Sequence, residues 1–233
     1  MIFNSNKKIK NNLELVSLHI PKTAGTSFRN SLKAIYGEAG AQRLDIFPKT
    51  RNVFVEELPF TGKKLPNEME VIHGHFHLDH LFEQFKIEKD IPIITWMRDP
   101  VERVISNYYY LEKRLKEELD EASKGLNILE KMQRNLMEYA RADVNRNVQA
   151  RYIANFPLSD FKFIGIVEYY ESELNRLQQS MQWDQITHQK VNVTGIQRAP
   201  ISTAWTNEIK ALNHEDVALY QEALSIRNTA LNL

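Results

Sequence analysis

The chain contains no cysteine. That removes disulfides, thiolate nucleophiles and cysteine-based zinc sites together, and it fits a reducing compartment, so a cytoplasmic location is expected. Charge of one sign is lacking too. The 30 Lys and Arg balance 30 Asp and Glu, leaving no global field to draw the protein to nucleic acid or to a membrane surface. No run of 18 apolar residues occurs, and the opening Met-Ile-Phe-Asn-Ser-Asn-Lys-Lys-Ile-Lys-Asn-Asn lacks the apolar centre of a signal peptide. Internal repeats and low-complexity tracts are missing as well. What is present is 233 residues, 42% apolar and 26% charged, the make-up of one globular domain with a full core. The expected division is a polar arm over 1–13 and a single domain over 14–233.

Four stretches, 15–20, 69–77, 91–98 and 161–168, are apolar on both faces and are separated by helical segments. They predict an α/β domain with a central parallel sheet of four or five strands, covered by helices on both sides. Residues 38–67 mix turn signals at Gly40, Pro48, Pro59, Gly62 and Pro66 with short apolar pieces, and predict loops with one minor element. Charge crowds 112–146, which reads as solvated helices, and Asn213–Ile226 reads as an amphipathic helix capped by Asn213.

The first strand runs through Pro21-Lys22-Thr23-Ala24-Gly25-Thr26-Ser27 into a helix. That helix shows Phe28, Leu32, Ile35 and Tyr36 on one face, with Gly37 placed to end it. A strand-to-helix loop aims backbone N–H groups and the helix dipole at one spot, which is an anion site. Lys22 adds a cation, Gly25 allows close approach, and Thr23, Thr26 and Ser27 add hydroxyls. The competing reading is an ordinary turn capped by Thr26 or Ser27. The nucleotide-kinase loop Gly-x-x-x-x-Gly-Lys-Ser/Thr is not matched, because Thr26 follows Gly25 and the lysine precedes it.

The third strand ends in Arg98-Asp99-Pro100-Val101-Glu102, where Asp99 as N-cap, Pro100 at N1 and Glu102 at N3 start a helix that carries Ser106 two turns on. Arg98 therefore leaves the carboxyl end of a parallel strand, where open α/β sheets bind ligands. Its alternative role is to pair with Asp99, with Ser106 incidental. The second strand ends in His73-Gly74-His75-Phe76-His77, and period-two alternation puts His73 and His75 on one face. Three readings compete: a metal site, for which Asp79 is the one acidic neighbour, packed core histidines, or a general base.

His19-Ile-Pro-Lys-Thr-Ala-Gly-Thr-Ser27 resembles the 5′-phosphosulfate loop of the sulfotransferases that use 3′-phosphoadenosine 5′-phosphosulfate (PAPS), in particular the branch of heparan sulfate 2-O-sulfotransferase and its bacterial relatives. Arg98 followed eight positions later by Ser106 is similar to that family's 3′-phosphate motif, and the two motifs occur in the family's order. The resemblance implies a build like that of P-loop nucleoside kinases. It places Lys22 against the transferring sulfuryl group, with Thr23, Ala24, Gly25, Thr26 and Ser27 around the donor and Arg98 and Ser106 on the 3′-phosphate. It assigns the acceptor's proton to His75, puts His73 beside the acceptor and leaves His77 uninvolved. Asn147-Val-Gln-Ala-Arg151-Tyr resembles a segment near acceptor and donor, which makes Asn147 and Arg151 substrate-binding candidates. Lys190 and Arg198 flank a stretch where the family has a loop over the nucleotide, and Arg198 is the donor-binding candidate there. The implied reaction is sulfuryl transfer to a hydroxyl, of a carbohydrate or small alcohol rather than a protein, with no metal. Two rivals stand. A nucleotide-dependent kinase would want a lysine after the loop glycine and an acidic Mg²⁺ holder where Arg98 stands. A non-catalytic nucleotide- or glycan-binding module would have no need of Lys22 and His75 together.

Overall fold

Strands β1 (Leu15–Leu18), β5 (Val71–Gly74), β6 (Ile93–Met97) and β7 (Phe163–Ile166) come from the four apolar stretches, and every residue in them is buried. The structure, a computed structural model, describes residues 12–88, 90–119, 134–186 and 200–232, so most of the expected arm lies outside the described residues. Seven strands form one sheet in the order β4-β3-β2-β5-β1-β6-β7. β1 pairs in parallel with β5 on one side and β6 on the other, β6 with β7, and β5 with β2 (Ala41–Ile46). The two outermost strands beyond β2, β3 (Val53–Val55) and β4 (Leu58–Phe60), are antiparallel.

The sheet is therefore larger than expected and mixed at one edge. The three extra strands lie in 38–67, the stretch read as loops. Their hairpin escapes a sequence reading because Glu56 and Glu57 occupy the turn, at φ 48° and 68°, where Asn-Gly is the usual signal. Ion pairs hold them there: Arg29 binds Glu56, and the Arg43 guanidinium donates to Glu57 at 2.8 Å. The second apolar stretch stays extended only to Gly74, so His75 to His77 lie beyond the strand.

Helices α1 (Gly25–Gly40) and α6 (Tyr170–Met181) cover one face. Phe28, Leu32, Leu174 and Leu177 pack there on Leu15, Val71, Ile94 and Phe163. Gly37 interrupts α1 at φ 77° and ψ 170°, close to where the sequence placed its end. On the other face, Val16, Leu18, Ile72 and Ile164 meet α2 (Leu78–Gln84), α5 (Val148–Ile153) and α8 (His214–Leu231) through Leu78, Leu81, Ile153 and Tyr220. Neighbouring strand residues point to opposite faces, so a strand buried on both sides reads as an unbroken apolar run.

A third cluster joins Val101, Val104 and Ile105 of α3 (Pro100–Leu119) to Leu136, Met137 and Ala140 of α4 (Leu136–Arg141) and Ile209 of α7 (Thr203–Leu212). The charged segment thus contributes a buried helix, α4, as well as solvated residues. The C-terminal helix is preceded by α7, and Asn213 between them makes no side-chain cap. Among the described residues, no helix is long and apolar enough to cross a membrane.

The order β5-β1-β6 brings the carboxyl ends of three strands side by side, and β5 sits close against β2 there. A Cβ at Gly74 would lie 1.9 Å from the Leu44 carbonyl oxygen, a backbone atom that cannot rotate away. Gly74→Ala should cost about 2–3 kcal/mol, in the range of overpacked core substitutions. A urea titration reads this directly, and an unchanged midpoint would contradict the close approach of β2 and β5.

Candidate active site

The loop after β1 is folded by backbone conformation rather than by caps. Lys22 and Ala24 adopt left-handed φ of 74° and 63°, and α1 starts with Ala24 as an N-cap that makes no side-chain hydrogen bond. The alternative of a turn capped by Thr26 or Ser27 is not what forms. Thr23, buried, donates its hydroxyl to the Ile20 carbonyl at 2.8 Å and closes the loop. Thr26 is exposed and Ser27 buried. Gly25 rests on the imidazole of His19, where a Cβ would fall 1.8 Å from Nε2. The helix start can settle on that ring only as glycine.

The second anion motif meets this loop. Arg98 donates from its guanidinium to the Lys22 carbonyl at 3.4 Å, joining segments 76 residues apart. Asp99 caps α3 as expected, its Oδ1 accepting from the N–H of Val101 at 2.9 Å and of Glu102 at 3.0 Å. Glu102 does not complete a capping box, because the Asp99 N–H goes to Glu168 at 3.0 Å. Glu102 lies instead 3.5 Å from the Arg98 guanidinium. Glu102, Ser106 and Tyr110 recur at intervals of four, which puts them in one row along α3, with Arg98 just ahead of its start. Lys22 Nζ lies 3.9 Å from the centre of the Tyr110 ring, and Ser106 is buried.

Three histidines stand beside the loop. His75 Nδ1 is 2.7 Å from the His19 carbonyl oxygen. A carbonyl only accepts, so Nδ1 carries the proton and Nε2 keeps its lone pair. The His75 N–H donates to Asp45 at 2.8 Å. Burial pulls the His75 pKa below its ordinary value, against the upward pull of the Asp45 carboxylate. His73 is 2% exposed, hydrogen-bonds Ser17 at 2.9 Å and has its pKa driven to about 3, chiefly by burial and then by His75. His19 stacks on both rings, 5.0 Å from His73 and 4.1 Å from His75, and burial holds it well below the usual imidazole range. Full burial thus falls to His73, and a half-buried ring with one nitrogen engaged to His75. His19 was missed as a site residue; its only signal was its position three before Lys22.

His77 stacks on His80 at 4.8 Å, away from the loop. Together with Asp79 these offer three ligand atoms within 4.8 Å of one another, but Asp79 already accepts from the His80 N–H at 2.7 Å. Tyr152 packs edge-on to His75 at 6.4 Å, and its phenol is pushed up to about 12, first by burial and then by Asp45.

The segment 147–151 is fastened to the start of α8 and to the strand end at Arg98. Asn147 donates its N–H to Asn213 at 2.9 Å and accepts the Asp216 N–H at 3.4 Å. Arg151 is exposed and donates to the Val144 carbonyl at 2.6 Å. Between them Gln149, to which sequence reasoning gave no role, bonds the backbone of Arg98. Lys190 and Arg198 lie outside the described residues.

A sheet edge that gathers a helix start with no side-chain cap, two cations and an imidazole has the chemistry to hold an anionic group. The sulfotransferase family matches residues 6–224. The chain belongs to that family. No curated protein matches it.

The neutral histidines set an acid limit on stability. Below pH 6.5 the unfolded chain takes up protons that His73 refuses in the fold until about pH 3. Stability is therefore full above pH 6.5 and declines as pH falls from there toward 3. At pH 4.5, two pH units below its unfolded value, His73 alone accounts for a loss on the order of 3 kcal/mol. Urea titrations of the wild type and His73→Asn at pH 7 and 4.5 measure this share. Equal pH dependence in the two proteins would assign the effect to other groups.

Proposed function

We propose that the protein transfers a sulfuryl group from PAPS to the hydroxyl of a carbohydrate or small alcohol, in the manner of the heparan sulfate 2-O-sulfotransferase branch. One observation carries the reading: His19 joins base and anion loop, its carbonyl orienting His75 and its ring supporting Gly25. Imidazole and donor loop are thus registered on the same residue.

In this reading the amides of 22–27 and Lys22 bind the 5′-phosphosulfate, with Thr23 holding the loop shut. Arg98 and Ser106 take the 3′-phosphate, and Arg198 is the further donor-binding candidate. The incoming phosphate replaces Glu102 as the partner of Arg98. His75 Nε2 accepts the acceptor's proton as the new O–S bond forms and the bond from sulfur to the 5′-phosphate oxygen breaks. Charge gathers on that leaving oxygen, where Lys22 and the α1 dipole stabilise it. The imidazolium formed on His75 keeps its Nδ1–H on the His19 carbonyl and has the Asp45 carboxylate near its own amide. Sulfate ester carries less charge than phosphate, so the reaction runs without a metal, and excess EDTA should leave turnover intact. Loss of activity restored by Mg²⁺ would point to a kinase. The absence of cysteine suits work in the cytoplasm.

The decisive experiment is an acceptor screen with ³⁵S-labelled PAPS, followed by His75→Ala with the acceptor so found. Turnover should fall by about 10²–10⁴, while affinity for 3′-phosphoadenosine 5′-phosphate (PAP) stays within about twofold. The acid limb of the rate profile, below pH 6.5 in the wild type because burial lowers the His75 pKa, should flatten. Turnover above about a third of wild type would place the base elsewhere.

A further inference from the structure

Arg98 is the first residue past the end of β6, whose last pair with β7 is Met97 with Ile166. Its N–H and C=O have therefore left the ladder, just where the guanidinium must be aimed. A glutamine side chain takes the place of a strand there. The Arg98 N–H donates to Gln149 Oε1 at 2.9 Å, and Gln149 Nε2 donates to the Arg98 carbonyl at 2.9 Å. Gln149 is fully buried. No other side chain suits the position equally: glutamate lacks the donor, methionine lacks both groups, and asparagine is one methylene short.

Gln149 is itself held. Asp216 of α8 accepts the Gln149 N–H at 3.2 Å and the Ala150 N–H at 2.8 Å, taking up amides of the first turn of α5. That carboxylate is completely buried and has the buried Arg103 guanidinium 3.8 Å away. A buried charge is tolerable when hydrogen bonds and a counter-ion compensate it, as here. The row Arg103, Asp216, Gln149, Arg98 thus runs from α3 through α8 and α5 back to the strand end that feeds α3.

We propose that Gln149 is the positioning residue for Arg98: it fixes the backbone from which the guanidinium reaches the 3′-phosphate, and so sets the preference for 3′-phosphorylated nucleotide. The inference rests on reading Arg98 as the 3′-phosphate ligand. A clip that merely fastens α5 to the sheet would not favour one nucleotide over another.

The test measures binding of PAP and of adenosine 5′-phosphosulfate, which lacks the 3′-phosphate, by calorimetry. It uses the full chain, Arg98→Ala, Gln149→Met and the double variant. Arg98→Ala should weaken PAP by about 10- to 100-fold and leave adenosine 5′-phosphosulfate within about twofold. Gln149→Met should weaken PAP by about five- to tenfold, spare the other ligand, and cost nothing further once Arg98 is alanine. Equal losses for both ligands with Gln149→Met, or a full additional loss in the double variant, would overturn the inference while leaving Arg98 as the ligand. Equal losses with Arg98→Ala would instead remove the 3′-phosphate reading and this inference with it. Should Gln149→Met fail to fold, Gln149→Glu has the same shape, keeps the acceptor and lacks the donor, and the same comparison decides.

Discussion

Parallel pairing of β1 with β5 and β6 is the constraint on which the rest depends. Parallel strands end on the same side, so the segments after Leu18, Gly74 and Met97 are forced into one row. Each segment then runs toward a helix start, where backbone N–H groups point back at the sheet edge. The loop lysine, the histidines and Arg98 are neighbours because of this pairing and not because of any attraction among themselves. Left to electrostatics, Lys22 and Arg98 would repel. The neighbourhood is tolerated because Arg98 donates to the Lys22 carbonyl, and because Tyr110 and Glu102 stand beside Lys22 and Arg98.

Behind that edge, buried charge ties the late helices to the early sheet. Glu173 of α6, with no exposure, binds Arg176 at 2.6 Å and Arg227 of α8 at 2.7 Å. Glu168 accepts from the Tyr220 hydroxyl at 2.9 Å and from the Asp99 N–H, coupling α8 to the start of α3. A buried pair such as Glu173 with Arg227 adds little net stability over apolar packing, but removing one partner strands a buried charge, which typically costs about 3–5 kcal/mol. The effect of these contacts is geometric: they admit one placement of α8 against the sheet, and with it one placement of the helix start that carries Gln149.

The histidines illustrate how one strand end yields unlike chemistries. His73, the last inward residue but one of β5, is sealed beneath His19 and kept neutral. His75 lies just past the strand, half-buried, with one nitrogen engaged by a carbonyl. Alternation placed both on one face, and both do touch His19. Which of them is open to an incoming group follows from where β5 stops.

Periodicity and end signals in the sequence determined the four central strands, the helix after the first loop, the Asp99 cap and the composition of both anion motifs. Those features depend on residues within a turn or two of each other, so they are written locally. Tertiary structure alone decided the others. Of the three strands in 38–67, the β3–β4 hairpin needed Arg29 and Arg43 to hold a glutamate pair in a turn that neither residue signals. His19 became part of the site through stacking on residues more than fifty positions away, and Gln149 through hydrogen bonds spanning 51. Asn147, expected at the substrate, also bonds Asn213 and Asp216, more than sixty positions away. A hydrogen bond of that range leaves no periodic trace, because its partners are chosen by strand order and helix docking, not by their neighbours in the chain.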